Sequence, residues 1–592
     1  MKLFLLIILF YSPSFIFAQL NGNYSIGNVS SDFSTINDAI DSLELVGMSD
    51  DVVFQIDSGF YYENILLNNI VIPPSFLVTF VGAVNDSSYV VIRGDSLNST
   101  NATLHINNTN NLIFQNLTLK IGENSSGSLL NITCNNIRFQ NVKLDGFGSD
   151  TTIFVIDSLN SELFSNCHLN SDRSTVLKFQ IESHTNLVID STYFETPFEF
   201  RNSESTIIKK STFEDTLITY CKTMYIDSSQ FNWYSFFNSK NSVFYKNEFN
   251  FSVLILSDTI NIESNLISYA SNSELFLVKN VNFGLIKNNE FIGLFETDSL
   301  KNVNFIGNDF KNNIELEHSE KLFINNNYFD TIVSIKWSTN LNLIKNSFNE
   351  RCLINWSEFD TIYGNEFQLL SCDHCDFLYL ANNSINGSCF IYWPDTSIIE
   401  FNNFSINAYC RFNWNNNVII RYNNFNSDCE FGNFDTSFIY NNNYFPFTHI
   451  DDIYGFNIDP MYTSGNVLLS QNSQLDGLSD FQTAPFYDID SALRTYPYTI
   501  GANELIYNNI SETTLKNKIT IYPNPTSDFV YFESKNEIPS RVEITDVNGK
   551  IILNQNISNE IKIDISELNP GNYFIKFYND RAIIYVDTFI KL

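Results

Sequence analysis

The sequence predicts an all-β chain: a long solenoid of stacked parallel strands behind a helix-containing N-terminal cap, then a separate set of short strands. Three observations carry this. A phrase made of an apolar residue, two variable residues, Asn, one variable residue and Phe or Ile recurs at a nearly fixed period between Asn247 and Asn443. Apolar residues alternate with period two ahead of each Asn, and no repeat holds a helix-length pattern. After Glu504 the repeat stops and alternating runs bounded by turn residues replace it.

Residues 1–18 read as a secretory signal peptide. Lys2 supplies the positive end, Leu3 to Phe10 form a continuous apolar run, and Tyr11-Ser12-Pro13-Ser14 ends it before the small Ala18. That run is too short to span a bilayer and no later stretch approaches ~20 apolar residues, so no transmembrane segment is expected.

Residues 19–100 are expected to form the cap and the first coils. Phe33, Ile36, Ala39, Ile40 and Leu43 recur at helical spacing between Ser31-Asp32, the cap candidates, and Gly47, the stop. Residues 51–56 read as a buried strand, followed by Gly59, Tyr61 and Glu63 in a Gly-x-Tyr-x-Glu phrase. An amphipathic helix here would cover the open end of the stack, which is an exposed sheet edge.

Residues 101–450 carry the repeats. Leu119, Leu144, Leu169 and Phe194 mark equivalent positions 25 residues apart, and from Phe213 through Phe231 to Phe249 the period shortens. The Asn column comprises Asn247, Asn265, Asn289, Asn308, Asn327, Asn346, Asn365, Asn383, Asn402, Asn423 and Asn443, with steps of 18 to 21 residues except one of 24. Asn tolerates a left-handed turn between strands, so these residues are expected at such turns. Stacked ~4.8 Å apart, their amides can also bond from coil to coil. The Phe/Ile column two residues later, from Phe249 to Phe445, would form a stacked core. Residues 451–507 would close the stack, and the polar segment 508–518 reads as a linker.

Charge bounds the partners. Asp plus Glu number 66 against 33 Lys plus Arg, a formal charge of −33, which repels nucleic acid and anionic membranes. Neutral glycans, divalent cations, or solubility alone remain compatible. With 17% charged and 15% aromatic residues the chain is not disordered despite its Asn content.

Few residues point to chemistry. The nine cysteines are an odd number for a disulfide framework in an exported chain. In Cys352-Leu-Ile-Asn-Trp356, Cys389-Phe-Ile-Tyr-Trp393 and Cys410-Arg-Phe-Asn-Trp414, alternation places Cys and Trp on one strand face. The expectation is an interior column of free thiols beside a buried tryptophan column that includes Trp337. Cys372-Asp-His374-Cys375 is half of a zinc motif without a second half, so no metal site is expected. One outward column reads Asp190, Lys209, Asp227, Tyr245, Glu263, Lys287; its largely alternating signs suit a compensating ladder. Phe390, Tyr392, Arg411 and Asn413 lie outward on adjacent coils, where aromatic faces beside amides suit sugar stacking.

The Asn-x-Phe repeats and the Gly-x-Tyr-x-Glu cap resemble right-handed parallel β-helix proteins of the pectate-lyase-like type over about residues 20–507. Asp488, Asp490, Arg494 and Ile500-Gly501-Ala502-Asn503-Glu504 look like the closing coil of such proteins, although Ser491-Ala492 stand where a glycine is usual. The Gln/Asp/Asp/Arg set of pectin methylesterases finds no match here, so catalytic residues remain unassigned and no cofactor is expected. At the end of the chain Tyr522-Pro523-Asn524-Pro525, Asn548-Gly549-Lys550 and Pro570-Gly571-Asn572-Tyr573 resemble the C-terminal sorting domain of the type IX secretion system of Bacteroidetes. That resemblance implies a small β-sandwich over 519–592, the secretion machinery as partner, and a body released or attached to the outer cell surface. The expected function is a non-catalytic adhesin or glycan-binding scaffold. The alternative is a polysaccharide lyase or glycoside hydrolase of β-helix fold.

Overall fold

The computed structural model describes residues 18–94, 102–122, 128–134, 136–146, 154–159, 162–170, 179–268, 275–405, 408–426, 429–433, 437–440, 442–444, 475, 488–489, 494, 499–502, 519–534, 539–546, 550–557, 562–579 and 582–591. Most of the signal segment, the 508–518 linker, Phe445, Asp490, Asn503, Glu504, Asn548 and Gly549 lie outside them. Two compact units result, one up to Leu505 and one from Ile506.

The first unit opens with the strand Leu20–Ile26, in parallel register with Met48–Ile56. Between them runs the helix Ile36–Val46, which buries Ile36, Ala39, Ile40 and Leu43 against the stack. Its N-cap is Thr35, in a capping box with Asp38, and not the expected Ser31-Asp32; Asp32 instead accepts the Ser25 amide proton at 2.7 Å. The helix stops at Gly47, where φ is +67° and the Gly47 N–H donates to the Leu43 carbonyl. The Gly-x-Tyr-x-Glu phrase has a mechanical role. Glu63 accepts the Ile36 and Asn37 amide protons at 3.1 and 3.0 Å, placing a carboxylate on the positive end of the helix. Tyr61 donates its hydroxyl proton to the Asp57 carbonyl at 2.8 Å.

A typical later coil has three short strands: Val303–Ile306, Asp309–Phe310 and Ile314–Glu317. Each pairs in parallel with its counterpart one coil on. A left-handed corner at Gly307 separates the first two, and two more, at His318 and Lys321, follow the third. The register runs without interruption from Leu119 through Leu144, Leu169, Phe194 and Phe213 to Phe425 and Tyr444. Tyr444 takes the terminal place expected for Phe445. The rings of this column stack one on another, for example Phe310–Phe329 at 5.1 Å and Phe348–Phe367 at 4.7 Å, both nearly parallel.

The Asn column lies inside the coil, not at the turn. The left-handed residue is the one before it: Lys246, Ser264, Asn288, Gly307, Asn326, Lys345, Gly364, Asn382, Phe401 and Tyr422. Each ladder Asn is 0–2% exposed. Asn308 is representative. Its backbone N–H and its Nδ2 both donate to Asn327 Oδ1, at 2.9 and 2.8 Å, and Nδ2 also donates to the Ile286 carbonyl at 2.8 Å. The last member is Asn442, not Asn443: Asn423 donates to Asn442 Oδ1 at 2.9 and 3.0 Å. Asn443 instead pairs with Asn424 in a neighbouring column. Upstream the same position holds Thr192, Ser211 and Ser229, whose hydroxyls accept the amide proton of the preceding coil, and before them the buried Leu117, Val142 and Cys167.

Parts of the closing segment lie along the side of the coils. Arg494, 5% exposed, donates to Asn382 Oδ1 and to the carbonyls of Thr499, Gly501 and Ala502, with its guanidinium over the Phe401 ring. Gly501, at φ +103°, donates to the Tyr422 carbonyl. A Cβ there would meet Asn403 Oδ1 at 2.1 Å, so only glycine fits.

The second unit has two antiparallel sheets. One contains Ile519–Tyr522, Phe529–Ser534 and Lys562–Asp564; the other Ile551–Asn556, Arg541–Asp546, Gly571–Asn579 and Ala582–Lys591. Val530, Phe532, Ile544, Ile575 and Phe577 share one core between them, the arrangement of a small sandwich. Among the described residues no helix is long and apolar enough to cross a membrane.

Candidate functional site

The corner after the third strand carries the most exposed aromatic surface of the later coils. Register aligns His318, Trp337, Trp356, His374, Trp393 and Trp414 on six successive coils, each at positive φ between +49° and +60°. The tryptophans are 46–55% exposed. The buried tryptophan column expected from alternation is therefore wrong: Cys352 and Ile354 point inward and are fully buried, while Trp356 points out. Alternation holds only along extended backbone, and a left-handed residue ends it. The polar Asn280, Ser299 and Asn433, at the same corner of other coils, were the signal that this position faces water.

The rings form stacks. Trp356–His374 centroids are 4.0 Å apart, His374–Trp393 5.7 Å and Trp393–Trp414 4.7 Å, with interplanar angles of 3–15°. Rings stacked along the coil axis cover much of each other's faces and turn their edges outward. Three residues further on, Phe359 and Phe377 make a second exposed stack at 4.5 Å, also in left-handed backbone. A bulky residue in that region costs about 1–2 kcal/mol, which the stacking partly offsets.

Phe390, Tyr392, Arg411 and Asn413 adjoin this ridge on the strand leading to Trp393 and Trp414. Register sets Phe390 beside Arg411 and Tyr392 beside Asn413. The Phe390 and Tyr392 rings are parallel with centroids 6.2 Å apart, Arg411 pairs with Glu430 at 2.7 Å, and Asn413 Oδ1 accepts from Asn433 Nδ2 at 2.9 Å.

Carboxylates gather on the same strand face four and five coils before Phe390 and Tyr392. Register opposes Glu296 to Glu315 and Asp298 to Glu317. Lys336 bonds Glu315 and Glu317, Lys279 lies 3.7 Å from Asp298, and His318 Nδ1 is 3.2 Å from Asp298 Oδ1. Partial burial, then the neighbouring Glu315 and Glu317, raise the Glu296 pKa above the usual carboxylate range. The expected outward column appears in the register from Asp190 to Lys287, and its last two members, Glu263 and Lys287, lie 3.9 Å apart.

Inside, eight of the nine cysteines are buried and none is in a disulfide. Burial pushes the Cys134, Cys167 and Cys221 thiols up to about 12. Cys372 and Cys375 point into the core while His374 stands in the outer ring stack, so the half-zinc phrase is split between interior and surface. Among the described residues no group of three His, Cys, Asp or Glu side chains is arranged to hold a metal. Asp360, 1% exposed, accepts the Leu341 amide proton at 3.2 Å, and burial pushes its pKa up to about 7.

In the C-terminal unit Asn524 ties the first residues to the last strand: Nδ2 donates to the Thr588 carbonyl at 3.0 Å and Oδ1 accepts from the Ile590 N–H at 2.9 Å. Tyr573 donates to the Asn569 carbonyl at 2.9 Å, and Lys550 donates its amide proton to Asp546 Oδ1 across the hairpin turn. Residues 520–591 match the family described as secretion system C-terminal sorting domain. The C-terminal unit is a type IX secretion sorting domain. The protein is accordingly secreted or attached to the outer cell surface, and this domain is what engages the secretion machinery. A search of curated proteins finds no match. Two crystal structures of the pectin methylesterase from Aspergillus niger are similar to the chain. The penultimately deglycosylated form has 13% identity over 50% of this chain and 85% of its own, and the deglycosylated form 12% over 52% and 87%, each with a TM-score of 0.19. The parallel β-helix rests on the strand register itself.

Proposed function

We propose that the solenoid is a non-catalytic glycan-binding scaffold, an adhesin presented outside the cell by its sorting domain after an N-terminal leader directs export. One observation carries this reading: four of the chain's five tryptophans stand exposed on one corner, in backbone that bulky side chains avoid. Backbone strain retained at the surface over successive coils calls for a use other than folding. Ring edges carry the positive rim of the aromatic quadrupole and the indole N–H, both suited to sugar hydroxyl oxygens. Phe390, Tyr392, Arg411 and Asn413 extend the strip with polar contacts, and these four with Trp393 and Trp414 are the proposed contact set.

A second reading, hydrolysis or lysis of a polysaccharide, draws on the opposed pairs Glu296/Glu315 and Asp298/Glu317. Adjacent parallel strands lie ~4.8 Å apart, near the carboxyl separation of about 5–5.5 Å in retaining glycosidases, and the raised Glu296 suits a proton donor. The cations already bonded to three of the four carboxylates favour the scaffold reading.

The test uses the exported protein on immobilised polysaccharides, with retention and newly formed reducing or unsaturated ends measured together. Retention without products, lost in a Trp393→Ala/Trp414→Ala variant, is the expected result. Product release abolished by Glu296→Gln would replace the scaffold reading with the enzymatic one.

A further inference from the structure

The strand face that carries Glu296 and Asp298 is apolar on the four coils before them. Ile218, Phe236, Leu254 and Leu277 form one outward column in register with Glu296. Tyr220, Asn238, Leu256 and Lys279 form the next, which leads to Asp298. Tyr234, Ser252 and Leu275 belong to a third, on the other side. These residues are half-buried, as expected of outward side chains flanked by neighbours on a sheet face open to solvent. Beside the two middle strands Trp233 is 48% exposed, and its ring stacks on Phe251 at 4.4 Å. Lys279 is the one charge in these three columns over the four coils, on a chain of net charge −33. A flat apolar window on an acidic protein fits another flat apolar surface of low charge.

The face is complementary to itself. A two-fold axis along the strands, midway between Ser235–Tyr245 and Val253–Glu263, reverses the coil order of a second copy. It sets Phe236 opposite Leu254 and Ile218 opposite Leu277, each twice. Tyr220 then faces Lys279, a cation over an aromatic ring. At the rims Arg201, which lies over the Tyr220 ring at 5.4 Å, faces Asp298. Glu199 faces Glu296 as a like-charged pair, moderated by Arg201, 2.5 Å from Glu199. The exposed Trp233–Phe251 pair straddles the axis, at the centre of the contact, where interfaces keep their aromatic anchors. Six strands ~4.8 Å apart and three columns ~6.7 Å apart span roughly 500 Å² on each copy, so pairing covers on the order of 1,000 Å², the lower bound for a specific contact. We propose that two copies of this chain pair through the face between Arg201 and Asp298, coil order reversed, as a weak two-fold dimer. These residues lie outside the proposed glycan-contact set, so the pairing and the glycan-binding reading can each fail alone.

The test is sedimentation velocity on the exported protein from about 1 to about 100 µM. A reversible monomer–dimer transition within that range is expected. Leu254→Arg, at an outward position, is expected to weaken pairing more than tenfold with an unchanged circular dichroism spectrum. Arg201→Asp sets two acids at each rim and Asp298→Arg sets two bases there. Each alone is expected to weaken pairing severalfold, and the two together to restore it. Within one copy these positions stand five coils apart, ~24 Å, so restored pairing reports a contact between copies. This exchange also decides the matter if Leu254→Arg does not fold. A protein that stays monomeric throughout overturns the proposal; if its retention on glycan also falls in Leu254→Arg, the face belongs to that ligand instead. A dimer that survives in folded Leu254→Arg overturns the assigned surface. A double exchange that fails to restore pairing, or growth into open-ended oligomers, overturns the two-fold arrangement.

Discussion

The coils from Ser191 to Glu263 and those from Asn288 to Arg421 share one register but are bent differently. In the former each coil has a single left-handed corner, at Ser191, Lys210, Ser228 or Lys246, and strands such as Leu217–Asp227 run eleven residues without a break. In the latter each coil has three such corners, and the strands shorten except at Ser347–Glu358, Glu366–Asp376 and Ser384–Tyr392. The interior follows suit: hydroxyls at Thr192, Ser211 and Ser229 give way to the amides of Asn247 through Asn442. A hydroxyl satisfies one amide proton of the coil before it, whereas an Asn accepts two bonds and donates two. The lesson is that the same backbone position can be filled by any side chain that meets the local hydrogen-bond demand. The amide column does so with the fewest stranded groups.

The largest expected effect falls in the later coils. Asn327→Leu removes the acceptor for both Asn308 donors and the donor to the Phe305 carbonyl, stranding buried polar groups. At about 1–3 kcal/mol per stranded group, it should lower the urea midpoint by the equivalent of several kcal/mol. A loss below ~1 kcal/mol would remove the distinction between the two regions. Next comes Asp360, a buried carboxyl flanked in its column by Leu341 and Leu378. Its pKa is raised on folding, so the folded state holds the neutral acid. Stability is highest below the ordinary 3.8 and falls as pH rises to about 7. Asp360→Asn should match the parent near pH 4 and exceed it by roughly 3–4 kcal/mol at pH 8; parallel pH curves for the two proteins would refute the burial argument. In the earlier coils Ser211→Ala removes one acceptor, that of the Thr192 amide, and one donor, and should cost about 1–2 kcal/mol. The smallest effect on stability belongs to the outer ridge. Trp393→Asn puts a residue tolerant of left-handed backbone where Asn280 and Asn433 already stand in the same column, and should shift stability by less than ~1 kcal/mol. Retention on glycan should nonetheless drop, and a large loss of stability with unchanged retention would assign the ridge to folding.

The stack, its period and its sorting domain were legible because each is a local pattern repeated many times, so errors at single positions average out. Leu119 to Phe425 were aligned from spacing alone. The misreadings have identifiable causes. The inward tryptophans come from counting residues across a corner, where one left-handed residue changes which way the next side chain points, and Asn443 for Asn442 and Phe445 for Tyr444 from a repeat whose length varies by one or two residues. Ser31-Asp32 read as the helix cap only if Phe33 belongs to the helical run; the helix begins at Ile36, and Thr35 caps it with Asp38 completing the capping box three residues on. The acidic face at Glu296, Asp298, Glu315 and Glu317 was invisible because the partners in its two pairs lie 19 residues apart and acquire meaning only as neighbours.

Periodicity is a property of the chain, and it was enough to specify a β-stack, its apolar filling and its export signal. Handing of each corner is a property of the folded ring of strands: closing a coil of 18 or 19 residues demands left-handed bends, and neighbouring coils decide which residues take them. The tertiary structure alone therefore turned tryptophans outward and buried the amides.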